Sequence, residues 1–347
     1  MLAGLDDALA RLDSAAASPN PDDAIITTLV HVALAQRGLP RLWQLESRHL
    51  REQDRAAVLV RATRITRHVR RAIRSRRPEL SAAEVDSLSW CALSVAVSPA
   101  YHRVELPLPM AAHVLRATIR AVITTDLSTA PTTAARAESK SDQPLGPELD
   151  RGQRRERILA EAARLFTVHG FPDVSIHDIG AAAGVTGPAV YHYFDSKAGL
   201  LDVIVRSHDA SIEDLFDETA IGALSPTAAL ATLTRGFVQF GADEPDLLAI
   251  TVSETRHLPA AAEHRYRSVR QEAIARWARV LSTARPELAP PIARMLIRAL
   301  TTVVIEAVRN PRLSRRGDLV EVLVAVGHSI QSTPAVRAHY PTLLRQP

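Results

Sequence analysis

A single cysteine, Cys91, occurs in 347 residues, so the chain can form no disulfide within itself and no thiolate metal cluster. The thiol lies in the apolar run SLSWCALSVAV and reads as a small buried core group. Aromatic residues make up only 4% of the chain and glycines number 14. The remainder is dominated by alanine, leucine, valine and arginine, a composition that favours helix throughout. No apolar run reaches the roughly 18 residues that a bilayer span needs. The opening MLAGLDDALARLD places acids where a signal peptide would carry bases, so a soluble cytoplasmic protein without membrane association is expected. A Gly-x-Ser-x-Gly elbow, a His-Glu-x-x-His pair, a P-loop and a Rossmann glycine run are all absent, and neither an enzyme nor a cofactor or metal site is expected. Charge of one sign is also scarce: 42 basic against 38 acidic residues leave +4, which permits a polyanionic partner without demanding one.

What is present is duplication. The chain is long enough for two or more packed units. ESRHL at Glu46, Arg48, His49 and Leu50 returns as ETRHL at Glu254, Arg256, His257 and Leu258, 208 positions later. The same spacing carries Arg77, Pro78, Glu79 and Leu80 onto Arg285, Pro286, Glu287 and Leu288, and Val114 and Leu115 onto Val322 and Leu323. Residues 24 to 124 and 232 to 332 are therefore expected to share one fold. In the first copy, apolar spacings of three and four predict helices over 24–37, 40–50, 52–75, 82–98 and 108–124. Between the copies, TDLSTAPTTAARAESKSDQPLGPELDRG (125–152) has Pro, Ser, Thr and charge but no apolar period, and reads as a solvated linker.

The most specific segment follows that linker. In RRERILAEAARLFTVHGF, Ile158, Leu159, Ala162, Leu165 and Phe166 share a helical face, and Gly170 stands at the stop. Ser175 is placed to cap a second helix, SIHDIGAAAG, with Asp178 as its capping partner and Gly184 as the closing turn. Thr186 can cap a third, TGPAVYHYF, with Pro188 in the first turn where a missing amide costs little. Two helices joined by a short glycine-containing turn make a helix-turn-helix, whose second helix presents its first residues to base edges. Gly187, Pro188 and Ala189 offer shape and methyl contacts only, which predicts modest base discrimination with some reliance on DNA deformability. Arg151, Arg154, Arg155 and Arg157 are candidates for a basic N-terminal arm.

The ensemble LFTVHGF followed by SIHDIGAAAGVTGPAVYHYFDSKAGLL, with Tyr191 and Phe194 in a Tyr-x-x-Phe and the pair Ser196 and Lys197, resembles the DNA-binding domain of the TetR/AcrR family. That resemblance implies an all-α protein in which Thr186, Tyr191, His192, Tyr193 and Lys197 meet phosphates, Ser175 joins the DNA-binding set, and Gly187, Pro188 and Ala189 face bases. It implies a domain order of regulatory bundle (1–124), linker (125–152), helix-turn-helix (153–200) and a second regulatory and dimerisation bundle (201–347). WQLESRHLREQDRAAV further resembles actinobacterial regulators with two such units in one chain. By that comparison the first DNA-binding segment is missing, and Ala3, Gly4 and Leu5 echo Ala198, Gly199 and Leu200 as though the chain began where that segment ends.

The implied partners are a double-stranded DNA operator and a small hydrophobic or acyl-type effector. The implied assembly is a homodimer or an intrachain pseudo-dimer of the two copies, acting as a repressor. Glu46, Arg48 and His49, with Glu254, Arg256 and His257, either line an effector pocket or form a structural polar network. The alternative function is a sensor or heterodimer partner that does not bind DNA specifically by itself.

Overall fold

The computed structural model describes residues 1–46, 50–127, 151–218 and 224–335. Among them are fifteen α-helices and no strand: α1 Leu2–Ala16, α2 Pro21–Ala35, α3 Gly38–Glu46, α4 Glu52–Arg76, α5 Ala82–Val97, α6 Leu108–Ile123, α7 Arg151–His169, α8 Ile176–Ala183, α9 Gly187–Val190, α10 Lys197–Glu218, α11 Pro226–Asp243, α12 Pro245–Ser253, α13 Ala260–Ala284, α14 Pro290–Arg309 and α15 Leu319–Gln331. No helix among the described residues is long and apolar enough to cross a membrane.

The helix starts follow local chemistry. Pro21, Pro226, Pro245 and Pro290 each stand in a first turn, where the fixed φ suits the helix and no amide is lost. Ser81 opens α5 with a full capping box: its hydroxyl accepts from the Glu84 amide and the Glu84 carboxylate accepts from its own amide, satisfying two otherwise orphaned donors.

The helix bounds recur along the chain. α4 and α13 span 25 residues each, and their first residues stand 208 positions apart, as do those of α5 and α14. A side-chain clamp recurs at the same spacing. Arg77 Nη1 donates to the carbonyls of Ile123 and Thr125, both at 3.3 Å, and Arg285 Nη1 donates to those of Gln331 (2.6 Å) and Thr333 (2.7 Å). Each arginine also pairs through Nε with the glutamate two residues on, Glu79 or Glu287. The Arg-Pro-Glu-Leu motif thus ties the end of a long helix to the carbonyls that close the last helix of its copy and have no partner within that helix. Arg285→Ala is expected to destabilise by about 2 kcal/mol, since two charge-assisted bonds are lost and two carbonyls are left half-buried. Urea titration checks this, and Arg77→Ala, with longer bonds, is expected to cost less.

Contacts divide the chain into two compact units. The first comprises Met1–Thr129, Trp277–Val303 and Val322–Pro347, the second Ala130–Arg276 and Val304–Glu321, each in its described residues. The core of the first unit includes Leu12, Ile25, Ile73, Leu88, Leu115 and Ile119, all nearly fully buried, together with Cys91. Burial pushes the Cys91 thiol up to about 12, which removes it from thiolate chemistry at neutral pH. Within this unit Thr125 Oγ1 donates to Ser329 Oγ at 2.9 Å and Thr333 Oγ1 lies 3.5 Å from Thr118 Oγ1. Arg294 Nε donates to Glu105 at 2.7 Å.

The expected linker is shorter at both ends than its composition indicates. Thr125 and Leu127 are buried and Arg151 already lies in α7, because tertiary packing claims residues that carry no periodic signal. Residues 128–150 lie outside the described residues.

Candidate nucleic-acid interface

Residues 151–204 build a small head around one apolar cluster: Ile158, Ala162, Leu165 and Phe166 of α7, Val174, Ile179 and Ala183 around α8, Val190 and Phe194, and Leu200, Leu201 and Ile204 of α10. The 3.6-residue period of α7 aims its four side chains at the start of α10. Gly170 and Gly184 close α7 and α8 with φ of 87° and 73°, a left-handed conformation that a side chain would strain.

Ser175 is consumed by its cap. Its amide and hydroxyl both donate to Asp178 Oδ2, at 2.8 and 2.6 Å, and its oxygen accepts from the Asp178 amide. The Ser175 hydroxyl and then its backbone amide hold the Asp178 carboxyl below the ordinary carboxylate range. A lowered folded-state pKa means that this cap contributes fully above the unfolded value, about 3.9, and fades as pH falls towards the folded one.

The crossing of α8 and α9 is tight. A Cβ on Gly180 would stand 2.9 Å from the Gly187 nitrogen and 3.0 Å from Val185 O, and one on Gly187 would stand 3.3 Å from His177 Cα. Gly187 is itself buried. The absence of a side chain at Gly187 lets the two helices meet, a packing demand that the sequence reading did not include.

α9 is a single turn, shorter than TGPAVYHYF suggests. Thr186 caps it by accepting from the Ala189 amide at 3.3 Å. After Val190 the chain tightens, with Tyr191, His192 and Tyr193 amides donating to carbonyls three residues back, at 3.0 to 3.2 Å. This continuation turns Val190 and Phe194 into the core and leaves Thr186, Pro188, Tyr191 and His192 exposed. Tyr191 is 56% exposed. Ala189 is half-buried at the same rim, while Tyr193 packs against the core.

Lys197 is engaged within the head. Its ammonium donates to the carbonyls of Phe171 (2.7 Å), Pro172 (3.4 Å) and Val174 (2.7 Å) and sits 4.4 Å from the Phe171 ring centroid. Desolvation lowers its pKa below that of an ordinary lysine. A donor with three protons that serves three carbonyls is a staple for the α7–α8 turn. The arginine arm is likewise partly engaged, with Arg151 and Arg155 over the rings of Tyr193 and Phe194, at 6.0 and 5.3 Å from the centroids.

Glu254 is fully buried and its Oε2 accepts from the Phe171 amide at 3.0 Å. His257 stacks on the Phe171 ring with centroids 5.0 Å apart, and Arg256 Nε donates to His257 Nε2 at 3.1 Å. Ile250, Leu258 and Tyr266 join the head's own apolar cluster. These residues fasten the α7–α8 turn to the helices that follow. In the first copy Glu46 is half-buried, and Arg48 and His49 lie outside the described residues. The glycine crossing and the Glu254 tie escape a sequence reading. Gly180 inside SIHDIGAAAG was the available signal, since an interior helix glycine costs about 1 kcal/mol and implies a close approach.

Residues 158–204 match the family described as bacterial regulatory proteins, tetR family. The chain is similar to the HTH-type transcriptional repressor KstR2 of Rhodococcus jostii RHA1, 34% identical over 119 residues that cover 33% of this chain and 56% of that protein. It is 36% identical to the HTH-type regulator TtgW of Pseudomonas putida over 59 residues, 17% of this chain and 44% of that one. It is 29% identical to the repressor LfrR of Mycolicibacterium smegmatis over 168 residues, 47% of this chain and 85% of that one. The chain thus spans about half the length of the first two. The solved KstR2 of Mycobacterium tuberculosis, described as a ketosteroid transcriptional regulator, aligns with a TM-score of 0.47 at 20% identity, covering 52% of this chain and 93% of that one. Residues 158–204 of this chain thus carry a helix-turn-helix of the type described as bacterial regulatory proteins, tetR family.

Proposed function

We propose that the protein is a DNA-binding transcriptional repressor whose single described head reads DNA with the exposed rim of α9. The carrying observation is that Thr186, Pro188, Tyr191 and His192 stand exposed at the start and rim of a capped second helix in a helix-turn-helix, the part that enters a major groove. Tyr191 and His192 supply polar tips for phosphate oxygens, and Pro188 and Ala189 an apolar surface against bases. Repression is supported by the relatives KstR2 and LfrR, both named as repressors.

The assembly we infer is an intrachain pseudo-dimer. Thr125 and Thr333, equivalent residues 208 positions apart, each reach the last helix of the other copy, at Ser329 and Thr118. Both contacts join the last helices of the two copies, as a two-fold pairing of the copies would. Release is assigned to a small apolar effector, on the strength of regulatory helices lined with leucine, valine, isoleucine and alanine. Such a ligand acts by binding more tightly to the state whose head no longer fits DNA.

Selection of genomic fragments by the purified chain, followed by footprinting, tests this reading. A recurrent site with one protected major groove per chain is expected. Recovery of random sequence alone, with no footprint, contradicts it and favours the non-reading sensor.

A further inference from the structure

Arg67, Arg70, Arg71 and Arg74 of α4 are all exposed. Their spacings of three, four and seven place them on one face, opposite the buried Val58, Thr66, Val69, Ala72 and Ile73. With Ser75 they line a shallow surface recess of about 580 Å³. The other basic residues of α4 are largely neutralised from within: Arg61 by Asp6, Arg64 and His68 by Asp13, and Arg76 by Asp22 and Asp23. On the outer face only Arg70 has an ion-pair partner, Asp86 at 2.8 Å. Arg67, Arg71 and Arg74 face no carboxylate at ion-pair distance among the described residues.

The duplicated helix shows that the fold does not require this charge. α13 has the same length as α4, yet the positions equivalent to Arg67, Arg70 and Arg74 are Ala275, Ala278 and Ser282, and only Arg71 has an arginine equivalent, Arg279. An uncompensated cationic stripe repels itself, so its presence in one copy alone calls for an external anion.

We propose that this face of α4 is a second DNA contact, binding the phosphates of double-stranded DNA without reading sequence. The proposal rests on the chain being a DNA-binding protein. Seven residues of helix cover about 10 Å, over which a duplex presents several phosphates, one charge per about 1.7 Å of axis. Guanidinium forks suit phosphate oxygens geometrically as well as by charge. A membrane partner fits less well, because most apolar side chains of α4 are spent in the core and only Leu59 and Val60 are large and exposed. A chain with one described head has few phosphate contacts of its own, and a sequence-neutral second contact raises affinity through effective concentration.

The test is equilibrium binding of the full chain to a random-sequence duplex of about 30 base pairs across a salt series, beside binding to its selected genomic site. The variants are the triple Arg67→Ala, Arg71→Ala, Arg74→Ala, its all-lysine counterpart, Arg279→Ala, and the head double Tyr191→Ala, His192→Ala. In the alanine triple the slope of log K against log salt is expected to shrink by about 2 to 3, with random-duplex affinity down about tenfold or more. The lysine triple should keep the slope, Arg279→Ala should change little, and the head double should retain most random-duplex binding. Circular dichroism establishes that each variant is folded. An unchanged slope in a folded alanine triple overturns the proposal while leaving the head's role intact. If the wild type binds neither duplex, the DNA-binding reading itself fails. Loss of binding to phosphatidylserine vesicles instead of duplex in the triple would identify a membrane and equally overturn the proposal.

Discussion

Gly180→Ala is expected to abolish DNA binding and to destabilise the head by about 3 kcal/mol, the upper range for forcing a methyl into a filled space. The added carbon would meet the Gly187 nitrogen at 2.9 Å, the Thr186 carbon at 3.0 Å and Val185 O at 3.0 Å. All three are backbone atoms, so no side chain can swing aside. The helices must separate, and α9 moves as a body with the rim that it presents. Gly38→Ala is the matching control, because nothing lies within 4 Å of the carbon it adds. Thermal melts and operator binding measured on both variants check the pair, with Gly38→Ala expected at or above wild-type stability.

Glu254→Ala is expected to loosen the head from the helices behind it. It strands the Phe171 amide and leaves a void where a fully buried side chain stood, a cost of about 3 kcal/mol when the lost acceptor and the void are taken together. Hydrogen exchange at the Phe171 amide should accelerate roughly a hundredfold, while amides in the core of the first unit stay protected. Glu254→Gln keeps an acceptor oxygen and should lie close to wild type. Glu254 and His257 hold the same turn that Lys197 staples.

Much of this arrangement is legible in sequence, and the failures share a cause. Helices expected over 52–75, 82–98 and 108–124 fall at Glu52–Arg76, Ala82–Val97 and Leu108–Ile123, because apolar period, prolines and the Ser81 cap all act over a few residues. Ser175, Gly170 and Gly184 are equally local, and each stands at the boundary its chemistry demands. The packing partners of Lys197 and Gly187 are not legible in this way, because they depend on where distant backbone passes. Phe171, whose carbonyl takes the Lys197 ammonium, is 26 residues away. Long side chains and close helix crossings are decided by tertiary packing, which a periodic pattern does not encode. The 208-residue repeat carried long-range information only because it could be read twice: Arg77 and Arg285 make the same clamp.

The most direct test of the central claim is a salt-titrated binding measurement on the genomic site that the protein selects, comparing wild type with the double variant Tyr191→Ala, His192→Ala. Both side chains are exposed, so the variant should fold normally. Neither side chain is a lysine or arginine, so the salt slope should change little, while loss of two hydrogen bonds that hold the reading head in register should weaken the selected site about tenfold or more and narrow its preference over random duplex. A double variant that binds its site with wild-type affinity and preference would show that the rim of α9 is not where this protein meets DNA.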